Sequence, residues 1–312
     1  MLIRCSQRSR PAHPRRPIAL AGFAPTLHAM PELPEVEVLV RHLDPLLRGR
    51  TVRGVAVGRA KIIQPSSPAE LSERLMGATF GPTTRRAKFL LFELRHGRRG
   101  EPFTLVGHLG MTGRMFLQPK AAALPKHTAV SLDLGRERFV FEDTRYFGRF
   151  NLDTAALAAL GPEPLTADFT PETFAAALKR STQPIKVKLL DQTVVAGVGN
   201  IYASEALFRA GISPRRAANR VKLAAITRLR DAIREVLSEA IACGSTLPLD
   251  FAAGKNGLFY YGAGTDDGAT FYTERLRVYD RAGQPCLVCT QPIRQCVQAA
   301  RSTYWCPRCQ RQ

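Results

Sequence analysis

Two cysteine pairs close the chain, Cys286-x2-Cys289 and Cys306-x2-Cys309, with sixteen residues between the pairs. No other feature limits the fold so tightly. Two close pairs on the arms of a short hairpin converge on one tetrahedral metal ion, and four thiolates complete its shell without leaving a position for water. The spacing therefore predicts a small finger built around one structural Zn2+. A redox dithiol is the alternative; it needs only one pair and a thioredoxin-like setting, which the surrounding sequence lacks. Four of the seven cysteines form these two pairs, which argues for a reducing compartment rather than a disulfide scaffold. Cys296, inside the hairpin, is surplus to the shell.

At the other end the chain changes character abruptly. Residues 1–29 hold five arginines, four prolines and no acid, without helical or strand period. Such a segment rarely builds a core. A patterned sequence, MPELPEVEV, begins at Met30. Val36, Val40, Leu43 and Leu47 fall at helical spacing, with Pro34 suited to the first turn, Gly49 to the end, and Pro45 placed to kink it. The runs TVRGVAV, KFLLFEL, FTLVGHLG, RMFL, AVSLDL and RFVFED then read as strands, so residues 51–152 are predicted to form an antiparallel sandwich. The proline-rich loop LGPEPLTADFTPE marks a domain boundary. Helices follow: PETFAAALKR, IKVKLLDQ, NIYASEALFRAG, and the long amphipathic RVKLAAITRLRDAIREVLSEAIACG. Asn200 is the expected cap of the third and Gly211 its end. FAAGKNGLFYYGAGTDDGATFY reads as a long loop. The fold class is α+β. Its parts are an extension (1–29), an N-terminal antiparallel β-sandwich flanked by helices (30–160), a helical domain (161–279) and a C-terminal zinc finger (280–312).

The formal charge is +19, and removing residues 1–29 leaves +14, so the excess is spread through the folded part. Basic surfaces gain affinity by releasing counterions from phosphates, which makes nucleic acid the expected partner. No run of 18 apolar residues occurs, so no membrane span is predicted. Arg301, followed by Ser302, Thr303 and Tyr304 near the hairpin tip, is placed to reach a phosphate. Pro31, as a free terminus, is a secondary amine. An α-amino group titrates at about 7.7–8.0 against about 10.4 for lysine, so it is a usable nucleophile near neutral pH. Its adduct with an aldehyde-level carbon is a cationic, electron-drawing iminium ion. Glu32 beside it can act as acid and base. Pro-Glu before a helix is ordinarily helix-end chemistry, and only MPELPEVE taken whole lifts it above that.

In MPELPEVE, RRAKFLLFEL, HLGMTG, GPEPL, IKVKLLDQ, VVAGVGNIYASEALFRAGISP, GSTL, RVYDR-GQPC and the finger, taken in order from Met30 to Gln310, the sequence resembles the formamidopyrimidine-DNA glycosylase family. The resemblance implies a β-sandwich, a helix–two-turn–helix domain and a zinc finger, acting as a monomer on damaged double-stranded DNA. By the same resemblance Pro31 is the nucleophile that attacks C1′ and displaces the base, and Glu32 is the acid that assists sugar-ring opening. Lys88 contacts phosphate and serves β-elimination, and Arg301 serves δ-elimination. Asn200 corresponds to a phosphate-binding asparagine, with Gly197 and Gly199 allowing backbone amides close to an anion. Met111, Arg145 and Phe147 correspond to the residues that fill the hole left by an extruded nucleotide. His108, His127 and Lys186 match further DNA-contacting positions. The implied lesions are oxidised purines, 8-oxoguanine and formamidopyrimidines, and the implied setting is the bacterial cytoplasm at the nucleoid.

Three features depart from the family pattern. Residues 1–29 would turn the Pro31 nitrogen into an amide, which is not nucleophilic. Translation from Met30 with methionine removal, or cleavage of the extension, is therefore expected; its arginine-rich make-up is also compatible with an organellar transit peptide. DTRYFG stands where the family has DPRRFG, putting Tyr146 at a basic position. The run from Ser245 to Tyr279 is long, with Pro248 and Leu249 in place of an arginine. Three rival readings remain. An endonuclease VIII-like enzyme would take oxidised pyrimidines, but Leu33, where that branch has glycine, and HLGMTG favour the purine branch. A non-catalytic zinc-finger DNA-binding protein would keep fold and charge without cleavage. An RNA-binding zinc ribbon would leave Pro31 unexplained.

Overall fold

A computed structural model describes residues 31–244 and 275–311. The extension 1–29 and most of the long loop, residues 245–274, lie outside the described residues. Helix α1 (Leu33–Leu47) has Pro34 in its first turn, as the sequence predicts, and Glu32 is its N-cap. Pro45 lies in its last turn and left-handed Gly49 (φ +79°) follows. The buried face of α1 divides between two cores. Leu33 packs in the helical core, whereas Val36, Leu39, Val40, Leu43 and Leu47 pack in the sandwich core. Pro31 and Glu32 therefore sit at the seam.

The N-terminal part continues with β1 (Gly54–Val57), α2 (Ala60–Ile63), α3 (Pro68–Leu75), β2 (Ala78–Arg86), β3 (Phe89–His96), β4 (Phe103–His108), β5 (Gly113–Pro119), β6 (Thr128–Asp133), β7 (Glu137–Asp143) and β8 (Arg149–Asn151). The strands make two antiparallel sheets, ordered β1-β6-β7-β5 and β2-β3-β4-β8. Aromatic rings join the two sheets: Phe139 of β7 lies 5.5 Å from Phe92 of β3 and 6.1 Å from Phe150 of β8, centroid to centroid. The sequence pattern does not mark strand β2. Gly81-Pro82 interrupts its pattern, and the ladder accordingly breaks register between Phe80 and Thr83. The start of α3 is written locally: the Glu70 amide donates to Ser67 Oγ (3.2 Å) and the Ser67 amide to Glu70 Oε2 (2.6 Å), a capping box.

The second part holds α4 (Ala155–Ala158), α5 (Pro171–Leu178), α6 (Ile185–Leu189), α7 (Asn200–Arg209) and α8 (Leu223–Ala242), and the finger holds β9 (Arg294–Gln298) and β10 (Arg301–Trp305). The α8 face of Ile226, Leu229, Ile233, Leu237 and Ala240 is buried, as its spacing predicts. One expectation is corrected at α7. Its N-cap is Gly199, not Asn200, because the first amides of the helix are met by a carboxylate from a distant segment. The finger is anchored beside α7, where Val278, Ile293 and Tyr304 pack with Phe208, and Gln310 Nε2 donates to the Ile212 carbonyl at 2.9 Å.

Candidate active site

The carboxylate that meets α7 is Glu32. It accepts from the Ile201 amide at 2.9 Å and from the Tyr202 amide at 3.4 Å. A Cβ on Gly199 would stand 2.3 Å from Glu32 Cδ, so only glycine admits this approach. Gly197 (φ +84°) would meet the Leu33 side chain at 2.6 Å, and the Leu33 amide donates to the Gly197 carbonyl at 3.1 Å. The anion that the GVGN glycines admit is thus the protein's own Glu32, placed at the positive end of a helix. Glu32 is 2% exposed. Burial pushes its carboxyl up to about 7, opposed by the Lys88 charge and the two amides and helped by Glu35. A carboxyl raised this far can both give and take a proton near neutral pH.

Lys88 follows a strained turn. Ala87 is buried with φ +52°. Glu163, from GPEPL, locks it: the Ala87 amide donates to Glu163 Oε1 at 2.5 Å, and Arg85 and Arg86 pair with the same carboxylate at 2.9 and 3.1 Å. Arg86 also donates to the Gly161 carbonyl at 2.7 Å. RRAK and GPEPL, separate in sequence, therefore build one corner of the site. Burial pulls the Lys88 amine below the usual lysine range, opposed by Glu32 and Glu35 and reinforced by Arg301. Glu35 is fully buried, accepting from the Glu32 amide (2.8 Å) and the Tyr202 hydroxyl (2.7 Å).

Lys186, read from sequence as a DNA-contacting position, is completely buried. Its ammonium donates to Asn200 Oδ1 (2.5 Å), the Ser302 carbonyl (2.7 Å) and Thr303 Oγ1 (2.8 Å), tying α6, α7 and β10 together. Burial lowers it to about 8, so it remains mostly charged at neutral pH. Arg301 is exposed, directly after the left-handed pair Ala299 (φ +46°) and Ala300 (φ +57°) that turns β9 into β10. Tyr279 bonds to Asn200, and burial raises its phenol to about 12.

Met111, Arg145 and Phe147 lie on two loops that Asp143 joins. Its buried carboxylate accepts from Thr112 Oγ1 (2.6 Å), the Arg145 amide (3.2 Å) and the Gly148 amide (2.8 Å). Phe147 is 50% exposed, Arg145 lies 5.0 Å from its ring, and Met111 is half-buried. Neither Met111 nor Phe147 is a core residue. His108 is held down to about 4, chiefly by burial, and is therefore neutral. Its Nδ1 accepts from the Gly110 amide at 3.1 Å, which places its proton on Nε2. His127 is half-buried, with Nδ1 3.3 Å from the Tyr146 hydroxyl.

The four finger thiols fit one zinc ion. A tetrahedral ion with Zn–S of about 2.3 Å sets sulfurs about 3.8 Å apart. Sγ of Cys286 and Cys309 are 3.9 Å apart, those of Cys289 and Cys306 are 3.3 Å apart, and all four lie within 4.8 Å. Cys296 stands apart on β9, half-buried. Glu35, Glu163, Tyr202, Glu205 and Asp143 also build the site, although no sequence motif singles them out. Glu35 alone carried a local signal, at the third helical position after the cap.

The geometry defines a zinc-finger protein whose α1 start, with a buried acid, faces a helix N-terminus between two domains. Three family descriptions match it: "Formamidopyrimidine-DNA glycosylase N-terminal domain" over residues 30–150, "Formamidopyrimidine-DNA glycosylase H2TH domain" over 160–249, and "Zinc finger found in FPG and IleRS" over 283–312. The chain belongs to the formamidopyrimidine-DNA glycosylase family. It is 42% identical over 290 residues to the formamidopyrimidine-DNA glycosylase of Dechloromonas aromatica, covering 90% of this chain and 100% of that protein. It is 44% identical over 289 residues to that of Chloroflexus aurantiacus, covering 90% and 98%. The Lactococcus lactis enzyme, solved as a mutant bound to DNA containing Fapy-dG, superposes with a TM-score of 0.78 at 31% identity, covering 90% of this chain and all of that one. The wild-type Lactococcus enzyme, solved with DNA containing an oxidised pyrimidine, gives the same score, identity and coverage.

Proposed function

We propose that the protein is a base-excision repair enzyme that removes oxidised purines from duplex DNA and nicks the strand at the resulting abasic site. The observation that carries the reading is the Glu32 carboxyl, buried on the α7 N-terminus next to Pro31, poised near neutrality and facing Lys88. The Pro31 amine attacks C1′ of an extruded nucleotide. The C1′–N bond breaks, the base leaves with a proton, and Glu32 protonates the ring oxygen as the sugar opens. The resulting iminium acidifies C2′–H. Loss of that proton expels the 3′ phosphate, with Lys88 stabilising the charge, and a second elimination assisted by Arg301 expels the 5′ phosphate. Water then releases the amine. An α-amine inside a peptide bond cannot begin this sequence, so the active chain starts at Pro31, and the family match beginning at residue 30 supports that reading.

The remaining residues bind DNA. Neutral His108 donates from Nε2 to a phosphate, and Asn200, fixed by Lys186, presents its amide to the lesion phosphate. Lys186 acts through Asn200 and the finger strand. Met111, Arg145 and Phe147 enter the stack where the nucleotide has left, which offsets its lost stacking. His127 faces the same loop. Zinc, held by Cys286, Cys289, Cys306 and Cys309, fixes the hairpin that carries Arg301 and takes no part in the chemistry. The enzyme works as a monomer in the bacterial cytoplasm, in keeping with relatives from bacteria. Among the described residues no helix is long and apolar enough to cross a membrane.

The test is excision from matched duplexes bearing 8-oxoguanine, a formamidopyrimidine or thymine glycol, using chains that start at Pro31 and at Met1. Faster release of the purine lesions with β,δ-nicking, by the Pro31 chain only, is expected. Preference for thymine glycol would move the chain to the endonuclease VIII reading, and binding without release would make it a non-catalytic DNA-binding protein.

A further inference from the structure

Tyr146 interrupts the loop that carries Arg145 and Phe147, at a position where the family pattern has arginine. It is bulky and left-handed, with φ +53°. Strain of that kind persists where the surroundings hold it, and it gathers at ligand clamps. Three segments hold it here. The Asp143 amide donates to the His127 carbonyl at 3.1 Å, and His127 Nδ1 lies 3.3 Å from the Tyr146 hydroxyl. The amides of Gly58 and Arg59 both reach the Ala129 carbonyl, at 2.8 and 3.2 Å. A Cβ on Gly58 would stand 2.4 Å from the Thr128 carbonyl oxygen, so the backbone is pressed onto β6 at that point. Arg59 is thereby carried over the Tyr146 ring, its guanidinium carbon 4.7 Å from the centroid. Arg59 is exposed, and it takes part in none of the ion pairs among the described residues.

We propose that Arg59, seated on Tyr146, is a phosphate contact of the duplex beside the emptied base-pair position, supplying the cation that residue 146 itself lacks. The inference rests on the DNA-binding reading above. An aromatic ring under a guanidinium fixes its plane and leaves the N–H edge free, the geometry in which arginine forks onto a phosphate. The neighbours Arg145 and Phe147 are the proposed occupants of the emptied position, so a backbone phosphate must pass this edge. Tyr146 is the positioning residue and Arg59 the contacting one.

The test is the salt dependence of affinity for a duplex bearing a tetrahydrofuran abasic analogue, measured on the chain that starts at Pro31. One lost phosphate contact makes the slope of log K against log salt shallower by about 0.9. Arg59→Ala is expected to show that change with roughly tenfold weaker binding. Adding Tyr146→Arg to Arg59→Ala should restore the slope, which a merely structural role of Arg59 would not permit. Arg74, 4.2 Å from the Phe103 ring and outside this cluster, is the control, and Arg74→Ala should leave the slope unchanged. An unchanged slope in Arg59→Ala, or no restoration by Tyr146→Arg, overturns the proposal. A wild-type chain that does not prefer the abasic duplex over an intact one overturns the DNA-repair reading itself, and this inference with it.

Discussion

Glu32 and Glu205 are both buried, both gather backbone amides from a distant segment, and both have carboxyls raised by burial. Glu205 projects from α7 and accepts from the amides of Arg277 (2.8 Å), Val278 (3.0 Å) and Tyr279 (2.8 Å), strapping the lead of the finger to the helix. Glu32 reaches the start of the same helix and takes two amides, one of them long at 3.4 Å. Its electrostatic neighbours are Lys88 and Glu35, and Pro31 precedes it. Three amides on two oxygens leave Glu205 a structural tie. A looser grip, with the Lys88 charge alongside, is what the proposed proton-transfer role of Glu32 rests on. Burial alone does not make a catalytic acid; what faces the remaining lone pairs does.

That contrast breaks most visibly in activity. Glu32→Gln is expected to lower base excision by about 10²–10⁴-fold, the usual range for a positioned acid or base. Glu205→Gln keeps one acceptor oxygen and should stay within a few-fold of wild type in single-turnover assays. Equal losses in the two variants would erase the distinction. Stability reverses the ranking. Glu205→Ala leaves three amides without acceptors and is expected to cost about 3 kcal/mol in denaturant unfolding.

The pH dependence sharpens the comparison further. The folded Glu32 carboxyl is raised from 4.5 to about 7, so the native state holds its proton through that interval while the unfolded chain releases it. Stability from this group is complete below about pH 4.5 and is lost as pH rises through about 7, a fall of about 3 kcal/mol. Wild type minus Glu32→Gln, measured by unfolding across that window, isolates it. Excision should decline on the same alkaline limb as the acid loses its proton. Gly199→Ala is the smallest change: its Cβ forces Glu32 off α7, with about 1–3 kcal/mol of destabilisation and about tenfold slower excision.

What the sequence disclosed divides along the reach of the interactions. The zinc shell was legible because each thiol pair spans one tight turn and the pairs close one short hairpin. The buried face of α8 was legible because its period is local. Pro31 and Glu32 stood out through an extended motif. The partner of Gly199 did not, because Glu32 is distant in sequence and nothing in GVGN says which anion it will receive. Asn200 looked like a cap for the same reason. Glu163 and Glu205 were silent because each meets amides of a remote segment, and no periodicity records that. Phe147 and Met111 have compositions suited to a core; only the resemblance marked them for the surface, where Asp143 holds their loops.

The most direct test of the mechanism is peptide mapping of the complex fixed by borohydride on a lesion duplex, with the chain starting at Pro31. The expected result is a single reduced adduct on the Pro31 nitrogen, absent when residues 1–30 remain attached. An adduct on Lys88 or any other residue, or equal trapping by the extended chain, would contradict the assignment of the nucleophile.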